Sequence, residues 1–352
     1  MKRLSLIFIV LFIGLAAYAE TLSSNAYSID EIPNVPDSLE YKAKSGDIFS
    51  QCLLGFNSYS RALSKNEPQY YQKAVYWFRK AAEQGDDSAQ YMLGRCYYYG
   101  RGIEQNYTEA VYWYQRSADG GNVIAMDNLG VCYEFGTGIE QNYTEAVNWY
   151  RKAAEKDYAK GQWNLGLCYY YGRGVDKSYA DAVSWYQKAA DKEYASAQNT
   201  LGCCYEWGEG VERSYVDAVR WYRKAAVQGD KYGQYNLGRC YEYGRGLTES
   251  HVEAVVWYKK AADQGHKASQ IKMAECYENG KGVKQNYVEA VEWYVKVAEQ
   301  GDVNVQVKLG DIFYNGQGIP KNNAIAERWY RMAAEKGNEK AKLALNNMGV
   351  IW

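Results

Sequence analysis

Thiols are the most regularly placed reactive groups in the chain. Six of its 8 cysteines, Cys96, Cys132, Cys168, Cys204, Cys240 and Cys276, recur at a step of 36 residues. In an exported protein such a column could be a disulfide framework; in a helical stack it could equally be a row of small buried hydrophobes. Equivalent positions of adjacent packed helices lie about 10 Å apart, and a disulfide needs Cα atoms within about 7 Å, so the column reads as buried thiols. Cys52 and Cys203 stand outside it, and Cys203 is expected to face solvent. Acid–base chemistry has little material, since the only histidines, His251 and His266, are both expected at the surface. No Cys-x-x-Cys pair or histidine cluster points to a metal, and no nucleophile stands beside a general base. No catalysis, metal or cofactor is expected. Asn106-Tyr-Thr and Asn142-Tyr-Thr fit the glycosylation sequon, which matters only in a eukaryotic secretory pathway.

The elements that would position these residues follow from the same step. Trp-Tyr pairs stand at Trp113, Trp149, Trp185, Trp221, Trp257, Trp293 and Trp329, with a Trp77-Phe78 variant before them, and every step is 36 residues. Leu-Gly pairs begin at Leu93, Leu129, Leu165, Leu201, Leu237 and Leu309, and Gly-x-Gly loops run from Gly100-x-Gly102 to Gly316-x-Gly318. Within 87–122, Ala89, Leu93, Cys96 and Tyr97 form an apolar helical stripe, and Ala110, Val111, Trp113, Tyr114, Ser117 and Ala118 form a second. Each repeat is therefore a helical hairpin of a leading and a trailing helix. A glycine inside the leading helix, such as Gly94, costs about 1 kcal/mol relative to alanine, so its recurrence implies close approach of another helix. Gly100 and Gly102 end that helix, and their position between two helices rules out a dinucleotide fingerprint. The small pair at 117–118 is followed by Gly121, whose column is broken by Asp157 and Glu193; those two turns are expected to differ. One hairpin cannot bury its apolar face alone, so several must stack.

The combination Leu-Gly-x-x-Tyr, Gly-x-Gly, Ala-x-x-Trp-Tyr and Ala-Ala-x-x-Gly resembles the Sel-1-like repeat of the tetratricopeptide superfamily, over roughly residues 43 to 350. The resemblance implies an all-α, right-handed α/α superhelical solenoid of about eight 36-residue helix-turn-helix repeats. It also implies an adaptor role in protein complexes. The repeats are placed at about 43–86, 87–122, 123–158, 159–194, 195–230, 231–266, 267–302 and 303–338, with a capping helix over 339–352. Two other roles suit the same scaffold or its relatives: an exported effector engaging a host protein, and a weak β-lactam hydrolase, for which the sequence shows no nucleophile–base pair.

The Trp-Tyr column recurs in every copy and reads as an inter-repeat core layer rather than a ligand platform. Variable positions of the leading helix are the better candidates. Positions equivalent to 88, 91, 95 and 98 lie opposite Leu93 and Tyr97, on the face that lines the concave groove in the superfamily. The candidate partner-binding residues there are Tyr91, Arg95, Tyr98, Asp127, Glu134, Trp163, Tyr170, Glu206, Tyr235, Arg239, Glu242 and Glu278. Aromatic and arginine side chains are typical binding hot spots, and the later acidic row is expected to favour a basic segment.

Ahead of the repeats, Lys2 and Arg3, the apolar stretch Leu4 to Ala17 and the Ala17-Tyr18-Ala19 site read as a signal peptide over 1–19. Residues 20–40, with Pro33 and Pro36, read as a flexible linker. A periplasmic or secreted protein with no stable membrane insertion after cleavage is expected. Net charge is −1, from 41 Lys plus Arg against 42 Asp plus Glu, so there is no basic excess to draw nucleic acid. The expected partner is a protein or peptide.

Overall fold

Every repeat is assembled from the same short-range signals. In 87–122, Asp86 accepts the Ala89 backbone N–H at 2.7 Å and starts the leading helix, Asp87–Tyr99. Gly100 ends that helix at φ 65°, a conformation open to glycine at no steric cost. Asn106 then accepts the Glu109 N–H at 3.1 Å and starts the trailing helix, Tyr107–Asp119. The sequon asparagines Asn106 and Asn142 are both helix caps of this kind.

The computed structural model describes residues 37–65 and 67–350; the signal peptide and most of the linker lie outside them. Among the described residues there are 18 helices and no strand, an all-α solenoid of helical hairpins. The chain forms two compact units, one running through Gly161 and including 173–175, the other comprising 162–172 and 176 onward. Each is a stack of hairpins with a core between leading and trailing helices.

That core is set by the repeated columns. Tyr114, Tyr150, Tyr186, Tyr222, Tyr258, Tyr294 and Tyr330 are almost wholly buried, as are the leucines and thiols of the leading helices. The helix glycines exist to receive these tyrosines: a Cβ on Gly94 would lie 2.7 Å from the Tyr114 ring. The second loop glycine has a different task. A Cβ on Gly102 would stand 2.3 Å from the Tyr71 backbone, so the loop presses directly on the trailing helix of the preceding repeat.

Three features depart from expectation. The linker ends earlier, because Asp37–Lys44 is a helix. Its Gly46 has φ 100°, Asp47 accepts the Ser50 N–H at 2.8 Å, and Gln51 donates to the Ala43 carbonyl at 2.9 Å. Gly85, Asp86 and Gln90 make the same turn, so this helix is the closing half of a trailing helix. In the first full repeat the leading helix, Ile48–Lys65, runs to 18 residues in place of the usual 13. The turns at Asp157 and Glu193 do not differ from the rest; both residues adopt positive φ, at 69° and 60°. At the other end Glu339–Asn347 buries Ala341 and Leu345 against Val307, Tyr330 and Ala334. Among the described residues no helix is long and apolar enough to cross a membrane.

Candidate functional site

The leading helices carry the columns that sequence offers as a binding face, and the structure spends most of them joining one repeat to the next. In four repeats the buried tyrosine hydroxyl donates to the carboxylate 16 residues earlier, on the leading helix of its own repeat: Tyr150 to Glu134 at 2.8 Å, Tyr222 to Glu206 at 2.7 Å, Tyr258 to Glu242 at 2.5 Å and Tyr294 to Glu278 at 2.7 Å. A cation from the following repeat completes each rung. Arg173 meets Glu134 at 2.9 Å, Arg239 and Arg245 meet Glu206 at 3.3 and 3.0 Å, Lys272 meets Glu242 at 3.1 Å, and Lys308 meets Glu278 at 2.7 Å. Burial works against the Lys272 charge, but the bond to Glu242, the charges of Glu242 and Glu275 and the bond to Tyr243 together outweigh this and raise its pKa. At Tyr170 the polarity reverses, and the tyrosine donates to Glu209 of the next repeat at 2.6 Å.

The expected acidic row is corrected by these pairings. Glu206, Glu242 and Glu278 are each neutralised within the chain, so the row holds no excess charge with which to prefer a basic segment. The cause is desolvation: a carboxylate held between helices must be paired or give up its charge.

The expectation that all these positions lie opposite the core is corrected as well. Tyr91, Asp127 and Glu206 are buried, at 7%, 0% and 3% exposure. The leading helices of the first two repeats touch, as do those of 195–230 and 231–266, so these helices bury a second face along that seam. Asp127 pairs with Lys160 at 3.0 Å. Trp163 is half-buried and donates its indole N–H to Thr200 at 3.1 Å. Tyr235 packs between His266 and Tyr258, with ring centroids 4.8 and 5.8 Å away. Tyr98 packs edge-on against Tyr99 and Tyr107. Arg95 lies over the rings of Tyr59 and Tyr91, at 6.0 and 5.6 Å.

The columnar cysteines are buried free thiols. Burial pushes Cys96, Cys132, Cys204 and Cys240 up to about 12 and Cys276 to about 11, which leaves them protonated and unreactive. Cys203 is only half-exposed, and its sulfur lies 3.4 Å from the Tyr222 hydroxyl oxygen. Neither histidine is fully at the surface. His266 is half-buried at a helix start, with Nδ1 2.8 Å from the Ser269 hydroxyl; burial and then Lys231 hold its pKa below the usual value. His251 is half-buried, 3.5 Å from Glu249. Among the described residues no group of three potential metal ligands comes together.

Sequence reasoning missed a column of exposed aromatic residues. They occupy the last position of the leading helix, just before its glycine cap. Tyr99 and Phe135 stand there in the first unit and Tyr171, Trp207 and Tyr243 in the second, each 50–66% exposed. Arg101 lies 5.0 Å above the Tyr99 ring and Arg245 5.3 Å above Tyr243. The signal was an unbroken aromatic column, ending at Asn279 and Asn315, one residue beyond the column taken as the groove.

Stacked hairpins whose buried polar groups serve their own seams, and whose open positions are aromatic, define a repeat solenoid of the interaction-scaffold class. The chain belongs to the Sel1 repeat family, whose model matches residues 48–86, 87–122, 123–158, 159–194, 195–230, 231–266, 267–302 and 304–338. Repeats of this kind generally act as protein-interaction scaffolds, and Sel1 solenoids are typically non-catalytic. A similar solved structure is that of c5321, a protective antigen of uropathogenic Escherichia coli strains with this repeat fold. It is 36% identical, with 90% of this chain and 67% of that one covered and a TM-score of 0.69. A Sel1 repeat protein from Oxalobacter formigenes is 32% identical, with 70% of this chain and 96% of that one covered and a TM-score of 0.63. No curated protein matches.

Proposed function

We propose that this chain is an exported scaffold that holds a protein or peptide partner against the ends of its leading helices. The observation that carries the reading is the aromatic column Tyr99, Phe135, Tyr171, Trp207 and Tyr243, kept half or more exposed at one equivalent position. Large rings left in water at repeated sites mark contact surfaces, and aromatic side chains give much contact area for little lost rotamer freedom. Arg95 and Arg239 stand one helical turn before Tyr99 and Tyr243 on the same leading helices. Export is supported by the basic start, apolar stretch and Ala17-Tyr18-Ala19 site, and by the likeness to a protective antigen. Buried thiols of high pKa suit an oxidising compartment, since they offer no thiolate to oxidise.

The test is photocrosslinking in living cells from Phe135 and Trp207, with Arg220 on an exposed trailing helix as control. Crosslinks to one protein from the first two positions and none from Arg220 are expected. Phe135→Ala with Trp207→Ala should then abolish capture at unchanged helical circular dichroism. Capture that survives this double substitution, or runs through Arg220, overturns the assignment. The exported protein should begin at Glu20; an intact Met1 on the protein outside the cell would sink the leader reading.

A further inference from the structure

The repeats allow a comparison of the chain with itself. In 231–266, Arg239 and Arg245 converge on Oε1 of Glu206, at 3.3 and 3.0 Å, while Tyr222 holds Oε2 at 2.7 Å. Counted from the Leu-Gly pairs, the equivalents of Arg239 and Arg245 in 87–122 are Arg95 and Arg101. The equivalent of Glu206, five residues after Leu54 as Glu206 is after Leu201, is Tyr59. The equivalent of Tyr222 is Phe78. One rung of the ladder has therefore lost both its carboxylate and the hydroxyl that held it, and has kept both arginines.

What remains is a pair of guanidiniums in a box of rings. Arg95 is half-buried and makes no hydrogen bond or ion pair among the described residues; it only faces the rings of Tyr59 and Tyr91. Arg101 donates to the Tyr59 hydroxyl and lies over Tyr59, Tyr71 and Tyr99. Each guanidinium carries five N–H donors, so the two hold far more donor capacity than the single hydroxyl takes up. Cation–π contact attracts the charge but leaves the N–H groups without acceptors. Two like charges drawn out of water call for an anion, and a planar carboxylate matches the guanidinium fork.

We propose that Arg95 and Arg101 bind a carboxylate side chain of the partner, a glutamate or aspartate that takes the place Glu206 holds in the equivalent rung. The site opens beside the exposed Tyr99 ring, which would receive the neighbouring residue of the same segment. This inference rests on the reading that the leading-helix ends receive a partner, and it adds that the partner segment is acidic at this point.

The test uses the full purified chain and a fluorescein-labelled, C-terminally amidated Gly-Glu-Gly-Glu-Gly peptide, read by anisotropy at low salt. Binding should weaken about tenfold or more when glutamine replaces glutamate in the peptide, as expected for loss of a charge-assisted pair. It should weaken likewise in Arg95→Gln with Arg101→Thr, threonine being the residue at the same position of the next repeat (Thr137). Glu206→Tyr should free Arg239 and Arg245 and raise the stoichiometry from one peptide to two. Tyr59→Glu, where it folds, should supply the missing acid, raise the melting temperature and close the site; the arginine substitutions carry the test if it does not fold. Equal affinity for glutamate and glutamine peptides, or binding that survives the arginine substitutions, overturns the proposal. A glutamine peptide with a free C-terminus that binds as well as the glutamate peptide overturns the side-chain assignment in favour of a chain terminus. Crosslinking at Phe135 and Trp207, which contribute nothing to this site, succeeds or fails independently.

Discussion

A tyrosine hydroxyl recurs in one buried column, and its worth depends wholly on what meets it. Tyr222 donates to Glu206 at 2.7 Å in a site closed to water. The Tyr186 hydroxyl is also buried but has no partner among the described residues, because its leading helix carries Tyr170 where a carboxylate would stand. A hydrogen bond to a charged group contributes about 2 kcal/mol, whereas a buried unpaired hydroxyl contributes only its desolvation cost. Tyr222→Phe should therefore destabilise its repeat by about 2 kcal/mol, and Tyr186→Phe should be neutral or stabilising. Hydrogen exchange across each repeat measures both, and equal losses would refute the rung as drawn. The same chemistry explains what the sequence hid. The column Tyr98, Glu134, Tyr170, Glu206 reads as a variable surface until its partners are known. Those partners stand 39 residues later, at Arg173 for Glu134, Glu209 for Tyr170 and Arg245 for Glu206. Acid is followed by base, and Tyr170 by acid, a complementarity written in the chain but legible only once the register of the stack is in hand.

At the scale of the helix and its turn the sequence was far more explicit. Caps, glycines and apolar stripes placed the paired helices of the seven repeats from 87 onward, because every signal there is local. The half helix Asp37–Lys44 escaped because it lacks the Trp-Tyr pair and follows a proline-bearing stretch, although Gly46-Asp47 already spelled the turn seen at Gly85-Asp86. Asp157 and Glu193 were misread for the opposite reason: residue type pointed to a different turn, and packing on both sides imposed the common one. That imposition has a cost. A residue with a Cβ held in the left-handed region loses about 1 kcal/mol relative to glycine, and Glu193 sits at φ 60° with its side chain exposed. Glu193→Gly should accordingly stabilise the hairpin it closes by about 1 kcal/mol. Urea unfolding followed by hydrogen exchange of residues 179–207 checks this, and a loss of stability would mean that the Glu193 side chain itself contributes a contact worth more than the strain.

Across the molecule, contacts run mainly between neighbouring elements, and stability in such an array is a sum of local terms and nearest-neighbour seams. A terminal repeat has one neighbour fewer, so it should open more often than one flanked on both sides. The thiol column supplies a reporter, because six successive repeats each bury one cysteine and the first repeat buries Cys52. None can react while closed, since burial keeps thiols such as Cys96 and Cys132 near pKa 12. Alkylation by a maleimide under native conditions must therefore follow opening. Within the first unit Cys52 has only a half repeat before it, whereas Cys132 has two complete repeats before it. Pulsed labelling with mass spectrometry should find Cys52 modified well before Cys132, with Cys96 between them. Equal rates at all three would mean that the unit opens as one body, and the nearest-neighbour account of its stability would have to be given up.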